Sequence, residues 1–142
     1  MQREIPSSLL MFLGYRAAED RILAALAQAG FGDLTRAQGR LLAGMDDGGT
    51  RLVVLADRAR IAKQTALALV DRLVAAGYVE RVRDPEDGRA RLVRLTDRGR
   101  DILPVARAEE RLVDDEWAAH LGPRRMREMR TALQDLRTVV DP

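Results

Sequence analysis

Apolar positions recur at helical spacing along most of the chain and switch to strand alternation in one place. Leu9, Phe12, Leu13, Ile22 and Leu26 share a broad apolar face, which predicts a first helix from about residue 7 to 28. Ser7 or Ser8 can cap it, and Gly30 is placed to stop it. Thr35-x-x-Gln38 is a capping box that opens a second helix ending near Met45. Asp46-Asp47-Gly48-Gly49 makes a turn, Thr50-Arg51-Leu52 suits a short strand, and a helix follows over about 53–58. From Ile61 to Ala76, the residues Ile61, Thr65, Leu69 and Leu73, with Ala66 and Val70, predict one buried helical stripe, and Gly77 ends it. The period then drops to two. Val79 to Arg83 is β-prone, and Leu92 to Leu95 returns with Leu92 and Arg94 on one face, Val93 and Leu95 on the other. Between these runs, Pro85 and Asp87-Gly88 punctuate a turn. Thr96 caps a long helix to about His120, in which Pro104 should bend the axis or free a carbonyl. After Gly122-Pro123, a last helix carries Met126, Met129, Leu133, Leu136 and Val140 as a narrow coiled-coil-like seam.

The fold class that follows is mainly α with a small β-hairpin wing. It is a winged helix-turn-helix flanked by N- and C-terminal dimerisation helices. In such a module the helix over 61–76 fits a major groove, and the hairpin tip reaches an adjacent minor groove or its phosphates. One domain, 1–142, is expected, with a DNA-binding lobe at about 35–100 and helical arms at about 7–30 and 97–142. The arms are too long to be covered by so small a lobe, so their apolar seams call for a second copy of the chain, or else for each other within one monomer.

The turn and its flanks carry a specific resemblance. Asp87-x-Arg89-x-x-x-Val93-x-Leu95-Thr96, preceded by Leu73-x-x-x-Gly77-Tyr78-Val79-x-Arg81, resembles the wing signature of the MarR family of bacterial transcriptional regulators. The resemblance implies that Arg89 enters the minor groove and that Asp87 steadies it through a salt bridge. It also implies a homodimer on a palindromic operator, and a repressor relieved by a small-molecule effector. Phe12, Tyr15, Arg16 and Trp117 are candidate effector-lining residues, since they offer ring faces and a cation on the arms; such residues are more often simply dimer core.

On the helix over 61–76, Lys63 and Gln64 lie in the first turn, where Gln can pair with adenine and Lys with guanine or phosphate. Thr65 suits a phosphate contact or the core. Leu67 suits a thymine methyl or a neighbouring helix. Arg72 is a phosphate contact. On the wing, Asp87, Arg89 and Arg91 complete the DNA-binding set, with Arg94 adding to the local field, and Arg58 and Arg60 are expected to face the DNA backbone. Four positions depart from the family's pattern. Ala62 and Val53 stand where a capping Ser or Thr is usual, and Leu67-Ala68 replaces polar or basic residues.

Charge sharpens this picture. Residues 51–100 hold 12 Lys/Arg against 7 Asp/Glu, whereas the remaining residues hold 12 against 15. Positive charge therefore gathers on the segment that must neutralise phosphate. With no Cys, thiolate metal sites, disulfides and thiol-based peroxide sensing are excluded. The single His120 has no Ser or Cys nucleophile near it in sequence, and there is no Gly-rich phosphate loop. Neither an enzyme nor a cofactor is expected. The apolar run Leu9–Leu13 is too short for a signal core or a membrane span, so a cytoplasmic protein is expected. The alternative function is a winged helix used for protein contact without sequence-specific DNA binding.

Overall fold

A computed structural model describes residues 3–141. These fall into two compact units, divided between Ala106 and Arg107. In the first unit, α1 (Ser7–Leu26) starts without a side-chain cap. Pro6 occupies the cap position, and its carbonyl accepts from the N–H groups of Leu9 and Leu10 at 3.0 Å. Ser7 and Ser8 thus lie inside the first turn and not at the cap expected of them. The chain continues through a π-helical turn, Ala27–Phe31, in which Gly30 takes φ 100°, a left-handed conformation that suits glycine. The capping box forms as its spacing predicts: the Gln38 N–H donates to Thr35 Oγ1 (3.2 Å) and the Thr35 N–H to Gln38 Oε1 (2.9 Å). It opens α2 (Arg36–Ala43).

Thr50 forms a single antiparallel bridge with Val93, with hydrogen bonds of 2.8 and 2.9 Å, where a short strand was expected. Arg51 then takes the N-cap position of α3 (Leu52–Arg58), so this helix begins one residue before the expected Val53. Helix α4 (Lys63–Ala75) begins at Lys63, later than the apolar pattern predicts; Ile61 packs on the core from the preceding loop. Ala62 is its N-cap residue and makes no side-chain cap bond. The buried stripe of α4 is Ala66, Leu69, Val70 and Leu73; Thr65 is exposed and does not belong to it.

Strands β1 (Val79–Arg83) and β2 (Arg91–Leu95) pair antiparallel, with Val79 opposite Leu95 and Arg83 opposite Arg91. The core of this unit joins Leu41, Leu55, Leu73, Tyr78, Val79 and Val93, and Ile102 reaches it from α5 (Asp97–Leu121). Tyr78 is fully buried, yet its hydroxyl donates to the carboxylate of Asp33. Burial, reinforced by that carboxylate, pushes the phenol up to about 12. The Arg98 guanidinium lies over the Tyr78 ring, 4.1 Å from its centroid. Thr96 caps α5, accepting from the Gly99 N–H at 3.1 Å. Pro104 is accommodated on an exposed side of α5, whose helical run continues past it.

The second unit holds the distal part of α5 and all of α6 (Pro123–Val140). Val113 and Met126 are buried, and Trp117 and Met129 half-buried. The rest of the predicted seam, Leu133, Leu136 and Val140, is exposed. In the first unit, α1 shows the same property, with Leu9, Leu10, Phe12 and Leu13 all exposed.

Candidate nucleic-acid interface

The interface is built on α4 and the hairpin that follows it. Helical geometry turns Gln64, Ala68 and Asp71 away from the buried stripe. Lys63 and Leu67 flank that line on one side, Thr65 and Arg72 on the other, and all are exposed. Leu67 is 44% exposed, so the alternative in which it tucks against a neighbouring helix is not realised within the chain. Asp71 does not present an unpaired negative charge on this face, because Arg81 of β1 donates to its carboxylate. The contact also ties the base of the hairpin to α4.

The wing turn is held by two aspartates acting on backbone. Asp84 Oδ1 accepts from the Glu86 N–H at 2.9 Å, and Asp87 Oδ1 accepts from the Arg89 N–H at 3.1 Å. Each carboxylate thus bonds a main-chain donor two residues ahead, the geometry that makes Asp a turn residue. Backbone bonds Asp84 N–H to Ala90 O (3.0 Å) and Ala90 N–H to Asp87 O (2.9 Å) close the loop. Asp87 thus bonds the peptide N–H of Arg89, and the guanidinium salt bridge that the resemblance implies does not form. The ionic neighbour of Asp87 is Arg51, 3.8 Å away.

Arg51 is the residue that sequence reasoning missed. From the cap of α3 its Nη2 and Nε reach Asp84 Oδ2 at 2.8 and 3.2 Å. The Glu86 N–H and then Arg51 hold the Asp84 carboxyl below the usual carboxylate range. A contact spanning 33 positions has no local sequence signal. Arg83, opposite Arg91, was also missed; counting the register back from the turn would have found it. Arg83, Arg89 and Arg91 line one shallow concavity with Gly88 and Ala90. Two other expected contributors are engaged elsewhere. Arg94 pairs with Glu80 at 2.7 Å, and Arg58 donates to the Gly44 carbonyl and to Asp46.

Residues 32–90 match the sequence model of the MarR family. Solved structures extend the likeness to nearly the whole chain. A MarR crystal structure is 26% identical over 96% of this chain and 98% of its own, with a TM-score of 0.77. The reduced form of MarR from E. coli is 23% identical over 99% and 100%, again with a TM-score of 0.77. CouR from Rhodococcus jostii RHA1, solved bound to p-coumaroyl-CoA, is 24% identical over 90% and 88%, with a TM-score of 0.68. None of the curated protein sequences matches. The order of α2, α3, α4 and wing is thus that of the MarR structures.

The candidate effector residues lie on the arms of this MarR fold. Phe12, Tyr15 and Arg16 are exposed on α1, and Trp117 is half-buried in the second unit. Two of them are already engaged. Tyr15 contacts Glu19 and lies beneath the Arg40 guanidinium at 5.6 Å, and Arg16 is 3.9 Å from Asp20. Among the described residues, no helix is long and apolar enough to cross a membrane, and no three His, Cys, Asp or Glu side chains cluster as metal ligands.

Proposed function

We propose that this protein is a homodimeric, sequence-specific DNA-binding transcriptional repressor, released from its operator by a small molecule. The observation that carries the reading is the pairing, on one scaffold, of an exposed α4 face with an arginine-tipped wing tied to it through Arg81 and Asp71. Helix α4 enters the major groove, with Lys63 and Gln64 at base edges, Leu67 against a thymine methyl, and Thr65 and Arg72 on phosphates. The wing, Asp84 to Arg91, enters the neighbouring minor groove with Arg89 leading. A narrow minor groove concentrates negative potential and favours an inserted guanidinium.

The exposed apolar residues of α1 and of α6 support a second copy of the chain as the partner that covers them. Two-fold symmetry then requires a palindromic operator with half-sites about one helical turn apart. The effector acts by favouring a spacing of the two α4 helices that does not fit the operator. Phe12, Tyr15, Arg16 and Trp117 remain its candidate contacts. Because CouR is solved with p-coumaroyl-CoA, aromatic acyl compounds are the first to screen.

The test is selection of genomic fragments by the purified protein at moderate salt, followed by sequencing. Enrichment of one palindrome supports the reading. Recovery of DNA without a shared sequence, with and without the aromatic acyl compounds, rejects it.

A further inference from the structure

The hairpin arginines fall into two groups. Arg81 is held by Asp71, and Arg94 by Glu80. Arg83, Arg89 and Arg91 have no ion-pair partner among the described residues and surround one concavity. The register sets Arg83 directly opposite Arg91, so their side chains leave the same face of the sheet as neighbours. Like charges so placed repel and destabilise the hairpin. Stability alone favours an acid at one of the two positions, which is what the Glu80–Arg94 rung has. Of the carboxylates nearest in sequence, Asp84 is committed to Arg51 and the Glu86 N–H, Asp87 bonds the Arg89 N–H with Arg51 beside it, and Glu86 forms no ion pair with either arginine among the described residues.

The pleat places this pair. Residues 79, 81 and 83 share one face of β1, on which Val79 is buried in the core and Arg81 reaches Asp71 on α4. Arg83 and Arg91 continue that face beyond the core, on the α4 side of the wing and short of its tip. With α4 in a major groove and Arg89 in the adjacent minor groove, the phosphates that separate the two grooves cross this position.

We propose that Arg83 and Arg91 form a cross-strand clamp on a backbone phosphodiester of the DNA, on the ridge between the two grooves. The clamp rests on the DNA-binding reading above and deepens it. It senses charge and not sequence, and a phosphate between the guanidinium groups replaces their repulsion with attraction. Arg89, at the tip, is left to read the groove.

The test measures binding of two labelled duplexes, the selected one and one of mixed sequence, across a sodium chloride series. Arg83→Gln and Arg91→Gln should each weaken both duplexes by the same factor, and the two combined should lower the slope of log K against log salt by about 1 per protomer, the one phosphate that they share. Arg83→Lys should keep the slope. Without DNA, both Gln variants should melt at or above the wild-type temperature, because the repulsion is relieved. Wild-type slope and affinity in both Gln variants would overturn the clamp and leave the DNA-binding reading standing. Weaker binding with a lowered melting temperature would also overturn it, by making the pair structural. If the intact protein shows no salt-dependent binding to either duplex, the DNA-binding reading and the clamp fall together.

Discussion

Arg51, at the cap of α3, donates through Nη2 and Nε to Asp84 Oδ2, at the foot of the wing. The residue that caps the helix preceding α4 therefore grips the foot of the wing that follows it. Arg51→Ala should speed amide exchange across residues 84–91 and weaken operator binding with little change in melting temperature. The salt slope should stay near that of the wild type, because Arg51 acts through Asp84 and not on a phosphate. Asp84→Asn should be the more damaging change, since the same carboxylate also holds the Glu86 N–H.

Gly99 packs the start of α5 against the backbone of Tyr78. A Cβ at this position would lie 2.1 Å from the Tyr78 carbonyl oxygen, which already accepts from the Thr96 N–H at 3.0 Å. Neither partner is a flexible side chain, so the helix must move. Gly99→Ala should destabilise the fold by at least the ~1–3 kcal/mol typical of overpacking. Urea denaturation measures the loss; an unchanged midpoint would show that α5 shifts freely.

Glu19 on α1 is held by Arg40, with contacts of 2.7 and 2.9 Å, and also by Arg36. The Arg40 contact above all pulls its carboxyl down to about 2, against an opposing effect of burial. A depressed carboxyl adds stability above its ordinary pKa near 4.5, and that stability is lost as pH falls from there towards 2. Thermal melting between neutral pH and about pH 2 should show this loss, on top of that from other carboxylates. Glu19→Gln should start less stable at neutral pH and fall less on acidification. Parallel curves for the two proteins would mean that Glu19 does not contribute.

Arg89 is placed at the tip by its backbone bond to Asp87, and its guanidinium has no ion-pair partner among the described residues. Arg89→Ala should weaken operator binding by ~1–3 kcal/mol and relax preference at the bases beneath the wing, while the dimer and its melting temperature persist. Unchanged affinity would remove the minor-groove role.

Leu133 and Leu136 on α6 are 41% and 40% exposed, although the sequence spaces them as a seam. Leu133→Asp combined with Leu136→Asp should leave a folded chain that sediments as a monomer, because the apolar surface that needs a partner has been charged. Should the double variant still sediment as a dimer, α6 lies outside the interface.

What was legible in the sequence was local. The Thr35–Gln38 box, the Thr96 cap, the α4 stripe and the hairpin each arise from residues a few positions apart, and periodicity and turn chemistry report such spacings directly. The winged-helix order, its resemblance to the MarR family and the arginine tip followed from them. The expected Ser7 or Ser8 cap failed because Pro6 takes the cap position, where its fixed φ suits helix entry and its carbonyl closes the first bonds.

Only the tertiary structure decided which charges are quenched and which are left for a ligand. Arg51 with Asp84, Arg81 with Asp71 and Arg36 with Glu19 join residues 10 to 33 positions apart. Their pairing depends on how helices and hairpin pack, and no pattern of period two or 3.6 encodes it. The sequence by itself determined that the wing is rich in arginine. The packing of α3 and α4 against the hairpin determined that Arg83, Arg89 and Arg91 are the ones left open, because an ion pair is a contact between elements and not a property of either one.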